Sequence, residues 1–289
     1  MPDNQPAVCP SYFALPDHTV VTLEGADAGA FAQAQFANDV LALAPGHWQW
    51  NTWLTAKGRV IALFALLKLA QDRLLLLLPD ADETQFVADL QSYVFRRKVK
   101  VQVDVQLSVS GGFTRATTAK NARIDVAGDV IELDYGSALH PRSLRVAPST
   151  QPIDAPGMRD QWKQLDLLHG LPRVPVGQRG LWTPHQLSLE RLSAFSVKKG
   201  CYPGQEIVAR THFLGKAKRE LALFEAEARM AQGADISDGP RVVGSIVCTS
   251  DADRHLGLAV MPLGHEIVAL HADGLLLRAL PLLAWPSVD

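Results

Sequence analysis

The sequence predicts a mixed α+β protein that ends in a small β-barrel. Strand-like and helix-like segments alternate along the first three quarters of the chain. Within them Val99, Val101, Val103, Val105, Leu107 and Val109 alternate strictly with polar residues, the mark of a strand with one buried face. After Gly215, short strand-like pieces recur at regular spacing, separated by turns such as Asp238-Gly239-Pro240 and Ala272-Asp273-Gly274.

Taken in order, His18–Leu23 has strand composition, and Asp27 is placed to cap a helix over Ala28–Val40. Pro45-Gly46 and Lys57-Gly58 mark turns around the tryptophan-rich Trp48–Trp53. The apolar runs Arg59–Ala70 and Arg73–Pro79 read as two strands of a hairpin turning at Gln71-Asp72. Asp80–Glu83 supplies acidic residues for the start of a helix running to about Phe95. One strand is expected over Val99–Val109, ended by Gly111-Gly112. Short strands follow near Ala122–Val126 and Val130–Leu133, then a Pro-, Ser- and Ala-rich connector over Ser137–Gly157. Trp162–His169 reads as a helix stopped by Gly170. A short helical piece is expected between Thr183-Pro184 and Phe195. Glu220–Glu225, Arg241–Thr249, His255–Val260, Glu266–His271 and Gly274–Leu280 are the expected barrel strands.

The chain has 289 residues, 47% hydrophobic and 20% charged, with a net charge of −2. That composition fits a soluble globular protein of about two domains and gives no electrostatic argument for nucleic acid or an anionic membrane as partner. No apolar run reaches the ~20 residues needed to span a bilayer, and Met1–Pro6 lacks the pattern of a secretory signal. Cys9, Cys201 and Cys248 form no CxxC pair, so neither a zinc site nor a disulfide framework is expected, and reduced thiols in a cytoplasm-like compartment are the simplest reading. The nine histidines show no HExxH and no ligand spacing, and no metal is expected.

The strongest local feature is Lys198–Arg210. Gly200 on one side and Pro203-Gly204 on the other frame Cys201 and Tyr202 in a tight, exposed bend. Exposure is unusual for cysteine, and Lys198 and Lys199 beside it favour the thiolate. The functional reading is a poised thiol or a transient ligand; the plain alternative is a small residue filling a turn. Gln205-Glu206-Ile207-Val208-Ala209-Arg210 suits a helix start or a strand, and on a helix Glu206 and Arg210 would pair four residues apart.

The octapeptide Lys199-Gly200-Cys201-Tyr202-Pro203-Gly204-Gln205-Glu206 resembles the signature of the YgfZ family. Leu23–Asp27, Gln35–Val40, Ala56–Val60 and Arg96–Val99 resemble the same family in the same order. The resemblance implies an α+β, ring-like fold similar to the T-protein of the glycine cleavage system, with two interleaved ferredoxin-like modules over residues 1–212 and a C-terminal β-barrel over 213–289. It implies a tetrahydrofolate-binding, cytoplasmic, monomeric accessory protein that supports assembly or repair of iron–sulfur clusters in selected enzymes, including tRNA-modifying ones. Its partners would be those enzymes or cluster-assembly proteins and the folate, with no direct nucleic-acid or membrane contact and no stably bound metal.

On this resemblance Cys201 and Lys199 carry the chemistry, within a loop of Gly200, Tyr202, Gly204, Gln205, Glu206 and Arg210. Asn38, Asp39, Val40, Trp53, Lys57 and Arg59 are the candidate folate-site residues. For Trp48, Trp50 and Trp53, stacking on a pterin competes with the favoured reading of sheet core; Lys57 and Arg59 either attract an anion or solvate a turn. Three positions depart from related proteins. Arg59-Val60-Ile61-Ala62 lacks the acidic pair that aminomethyltransferases use there, which removes their general acid/base partner. Leu168 stands where the transferases hold the pterin edge with a glutamate, and Ser188 stands where the family often has Asn. The competing readings are a folate-dependent aminomethyltransferase and a scaffold with a vestigial folate site.

Overall fold

The computed structural model describes residues 12–149, 153–215, 217–264 and 269–285. The N-terminal hexapeptide, Cys9, His265 and the start of the strand expected at Glu266–His271 lie outside them. A short strand β1 (Phe13–Ala14) precedes β2 (His18–Glu24) and α1 (Ala28–Gln35). β3 (His47–Leu54), β4 (Val60–Ala70) and β5 (Arg73–Pro79) form an antiparallel meander. α2 (Glu83–Gln91), β6 (Lys100–Val103), β7 (Leu107–Gly112), β8 (Asp125–Ala127), β9 (Val130–Asp134) and β10 (Ser143–Pro148) lead to α3 (Pro156–Leu168) and α4 (Gln205–Phe213). The remainder is strand: β11 (Arg219–Ala226), β12 (Asp235–Asp238), β13 (Arg241–Asp251), β14 (His255–Pro262), β15 (Leu270–Ala272), β16 (Leu275–Leu276) and β17 (Arg278–Leu280).

Three sheets result. The first has the order β3-β4-β5-β2-β6, the second β1-β7-β10-β9-β8. The chain begins in the second, builds the first, then returns, so the two α+β modules interleave as expected. The third sheet, β16-β15-β12-β13-β14-β11-β17, curls into a nearly closed barrel around Phe224, Ile236, Ile246 and Leu270. Among the described residues no helix is long and apolar enough to cross a membrane.

The unbroken apolar runs of β4 and β5 have a simple cause: both faces of the first sheet are covered. Ala62, Phe64, Leu66, Leu74, Leu76 and Leu78 face α1 and α2 in one core with Phe31, Phe86 and Leu90. Leu63, Ala65, Leu67, Leu75 and Leu77 face the opposite way, into the larger core shared with the second sheet. Trp48 and Trp50 join that larger core, while Trp53 faces the helices, 5.1 Å from Phe86 between ring centroids.

Several boundaries differ from the sequence reading. The alternation from Val99 to Val109 spans two strands in two sheets. Asp104 accepts a hydrogen bond from the Gln106 amide, an Asx turn that ends β6 and leaves Val105 75% exposed. The connector at Ser137–Gly157 holds β10, which is central in its sheet. α1 stops at Gln35 rather than Val40, because Phe36 is extended and bridges Trp53. Asp27 makes no capping bond; its carboxylate takes the Lys98 amide instead. α2 ends at Gln91, short of Phe95. β1 and β12 were not anticipated: they hold two and four residues, too few for a period to show.

A buried ion cluster joins the modules. Arg173 donates to Asp17 and Asp80 at 2.7 Å each and to Asp166 at 3.1 Å. Asp166, fully buried, also takes Arg142 at 2.7 Å. The Arg142 guanidinium lies 4.6 Å from the Trp162 ring centre and 5.0 Å from that of Tyr135. Asp17 precedes β2, Asp80 follows β5, Tyr135 and Arg142 lie between β9 and β10, Trp162 and Asp166 are on α3, and Arg173 is in the segment after it. Nothing in the linear spacing marks them.

Candidate functional site

The octapeptide loop is built by two anchors. The first is Lys199. Its side chain is buried, and Nζ donates to the carbonyls of Gln33 at 2.6 Å, Phe36, and Asn38 at 3.1 Å. Those oxygens are left over where α1 ends, so a cation there both pairs orphan acceptors and meets the negative end of the helix dipole. Burial pushes the Lys199 ammonium down to about 8, opposed by the nearby Asp39 carboxylate. The charge expected to sit beside Cys201 is thus directed at α1, and Lys198 is the exposed lysine of the pair. Tyr202 packs its ring 4.9 Å from Nζ, donates to the Ser196 carbonyl at 3.0 Å, and is pushed up to about 12 by burial.

The second anchor is a glycine–glycine contact. Gly204 has φ +79°, and a Cβ there would lie 2.6 Å from both Gly58 Cα and the Thr55 carbonyl oxygen. Gly58 has φ +67°, and a Cβ on it would reach Ile207 Cβ at 2.9 Å. The turn at Lys57-Gly58 and the cysteine loop therefore seat directly on one another, which no side chain larger than hydrogen permits. α4 then starts at Gln205, whose side chain donates back to the Lys199 carbonyl at 3.2 Å. Between the anchors Cys201 is exposed. Cys248, by contrast, is buried in the barrel wall, and burial pushes its thiol up to about 12.

Beside the loop lies a cleft of about 500 Å³. Asn38, Asp39, Trp48, Trp50 and residues of the 193–198 segment line it. Asn38 is fully engaged in holding it: its amide nitrogen donates to the Trp50 carbonyl at 2.9 Å and the Ser193 carbonyl, and its own backbone N–H donates to Asn51. Asp39 uses Oδ1 on the Ala42 amide. The buried Trp50 Nε1 has no hydrogen-bond partner among the described residues. Val40 is buried and offers its carbonyl to Lys68 at 3.0 Å.

Other sequence candidates fall elsewhere. Trp53 is sealed in the helix-facing core. Lys57 is exposed at the tip of its turn. Arg59 donates to the Leu181 carbonyl at 2.8 Å and Gln186 at 3.3 Å, tying down the segment 181–186 rather than facing the cleft. Glu206 and Arg210 are both exposed on α4 and form no ion pair among the described residues. A larger polar cleft of about 860 Å³ between the ion cluster and the barrel is lined by none of the candidate site residues read from the sequence.

No family model matches the chain. The tRNA-modifying protein YgfZ of Serratia proteamaculans is 30% identical over 242 residues, covering 77% of this chain and 73% of that protein. This chain belongs to the YgfZ family. The YgfZ protein of Vibrio vulnificus is 27% identical over 290 residues, covering 89% of this chain and 88% of that one. Among solved structures, the glycine cleavage system aminomethyltransferase T of Bartonella henselae superposes with a TM-score of 0.69 at 14% identity, over 94% of this chain and 85% of that one, a likeness of fold.

Leu168 and Ser188, singled out in the sequence reading, have defined surroundings in this YgfZ chain. Leu168 packs on the larger core, and the C-terminal segment covers it: the Leu283 amide donates to its carbonyl at 2.8 Å. Trp285 then stacks edgewise on Trp50 and Tyr135. Neighbouring His169 is held near pKa 4 by burial. Ser188 sits at φ +50°, a left-handed conformation that Asn tolerates best among side-chain-bearing residues, and its hydroxyl takes the Leu221 amide at 3.0 Å.

Proposed function

We propose that this protein is a folate-linked accessory factor that supports iron–sulfur enzymes, among them tRNA-modifying ones, and that Cys201 is its reactive group. The observation that supports this most is the placement of Cys201: an exposed thiol on a loop fixed at both ends, by a buried lysine and by a glycine–glycine contact. Evolving a rigid frame around an exposed cysteine serves chemistry at the sulfur better than it serves stability, since exposed side chains contribute little to folding. Relatives carrying the name tRNA-modifying protein support the class of client.

The cleft suits a pterin with an acidic tail. Asp39 offers a carboxylate oxygen to an amino edge, and exposed Lys198 offers a cation to a glutamate carboxylate. Bound folate would supply one-carbon or redox chemistry of its own pterin ring; the chain's part is to hold it beside the loop. Aminomethyl transfer is disfavoured because the 59–62 stretch has no carboxylate and Arg59 is committed to Leu181 and Gln186.

In a strain lacking the protein, the wild-type chain should restore the activity of an iron–sulfur tRNA-modifying enzyme. Cys201→Ala should fail to do so while its unfolding free energy shifts by less than about 0.5 kcal/mol, as for other exposed positions. Full rescue by Cys201→Ala would remove the thiol from the function. Calorimetric titration with tetrahydrofolate should show one site, weakened about tenfold or more by Asp39→Ala through loss of a charge-assisted hydrogen bond. No heat at millimolar ligand would leave a scaffold in place of a folate protein.

A further inference from the structure

We propose that His185, Glu190 and His212 form a binding site for a divalent transition-metal ion of the zinc type. The three come from the turn after Pro184, the 3₁₀ turn Leu189–Leu192 and the last turn of α4, and linear spacing gives no hint of them. His185 Nε2 lies 3.2 Å from Glu190 Oε1, and His212 Nδ1 lies 3.7 Å from the same oxygen. One ligand atom from each falls within 4.8 Å of the other two. Zinc bonds of about 2.0–2.1 Å in tetrahedral geometry place ligand atoms about 3.3 Å apart, so two of the three separations already approach that spacing. Two imidazoles and one carboxylate, with a fourth position left open, are a donor set that borderline divalent metals favour.

The state of His185 is the second observation. Its side chain is only 4% exposed, yet neither ring nitrogen has a hydrogen-bond partner among the described residues. Buried polar side-chain atoms in native proteins nearly always find partners. The ring is aimed at the Glu190 carboxylate and at His212, 6.3 Å away between centroids, without forming a well-directed bond to either. A metal ion between them would satisfy it.

The backbone holds this arrangement at a cost. Glu190 lies in a single 3₁₀ turn, Leu189–Leu192, flanked by Ser188 at φ +50° and Ser193 at φ +49°. Two left-handed non-glycine residues around one turn are strained, a conformation retained where the surroundings over-determine it. Glu190 and His212 are half-exposed and can close onto an ion, whereas His185 is fixed. An open cleft of about 320 Å³ borders all three and gives a water or a partner ligand access to the fourth position. The same α4 follows directly on Gly204, so an ion at His212 would pin the far end of the helix that leaves the cysteine loop. The inference does not depend on the functional reading of Cys201.

The test uses tag-free full-length protein stripped with EDTA and titrated with zinc chloride by calorimetry, then with cobalt(II) as a spectroscopic probe. The expected result is one zinc per chain with a dissociation constant of about 1 µM or tighter, and cobalt d–d bands of tetrahedral intensity. His212→Ala and Glu190→Gln, both at half-exposed positions, should each weaken zinc about tenfold or more with unchanged melting temperature in the metal-free form, and Cys201→Ser should bind as the wild type does. No saturable binding at about 100 µM zinc, or binding that persists undiminished in both His212→Ala and Glu190→Gln, would overturn the proposal.

Discussion

Arg173→Met is expected to destabilise the protein by about 3–5 kcal/mol, the usual result of removing one partner from a buried ion cluster. Arg173 is 3% exposed and pairs with three carboxylates at once. Methionine fills much of the volume but leaves Asp17 and Asp80 without their principal cation, while Asp166 keeps Arg142. Burial alone would raise the Asp17 pKa, but the hydrogen bond from His18 and the charges of His18, Arg173 and Lys163 outweigh it and hold the carboxyl well below the usual range. A depressed carboxylate adds stability above its unfolded pKa of 3.8 and loses it as pH falls below that value toward the folded one. Wild-type stability should therefore decline below about pH 4–5, and Arg173→Met should flatten that part of the profile as well as lower the plateau. Urea midpoints measured from pH 3 to 8 check both. An unchanged midpoint at pH 7 would show that the cluster does not hold the modules together.

Gly204→Ala is expected to cost about 2–5 kcal/mol. Left-handed backbone costs a non-glycine residue about 1–2 kcal/mol, and inserting a methyl into a packed contact costs about 1–3 more. Both apply here. The atoms the methyl would meet are backbone of the Lys57-Gly58 turn at 2.6 Å, and backbone cannot swing aside as a long side chain can. The two segments must part, and the cysteine loop loses its second anchor. Thermal unfolding of Gly204→Ala beside Cys201→Ala separates frame from chemistry: the first should lower the melting temperature by several degrees, the second hardly at all.

The sequence made some of this legible, and the reasons differ by element. β4 and β5 were readable because a strand covered on both faces is apolar throughout. The barrel was readable because its turns carry Gly, Pro and Asp at even intervals. The cysteine loop was readable because Gly200 and Pro203-Gly204 constrain backbone locally. By contrast, the split at Asp104 was hidden, since two strands in different sheets can share one alternating pattern across an Asx turn. The role of Lys199 was hidden for a related reason: a lysine that looks solvated in sequence closes the end of a helix more than 160 residues away. The Asp17, Asp80, Asp166 and Arg173 cluster and the His185, Glu190 and His212 cluster exist only through tertiary contacts. Trp48 and Trp50 belong to the core and also border the cleft, which composition alone cannot divide.

Cys201 is presented to solvent, while Cys248 in the barrel wall is not, and the proposed role of the thiol depends on that difference. Iodoacetamide treatment of the native protein at pH 8, followed by peptide mapping, measures this directly. The peptide holding Cys201 should be modified within minutes, and Cys248 should be labelled only after denaturant is added. Protection of Cys201 until the protein unfolds, with or without labelling of Cys248, would contradict it.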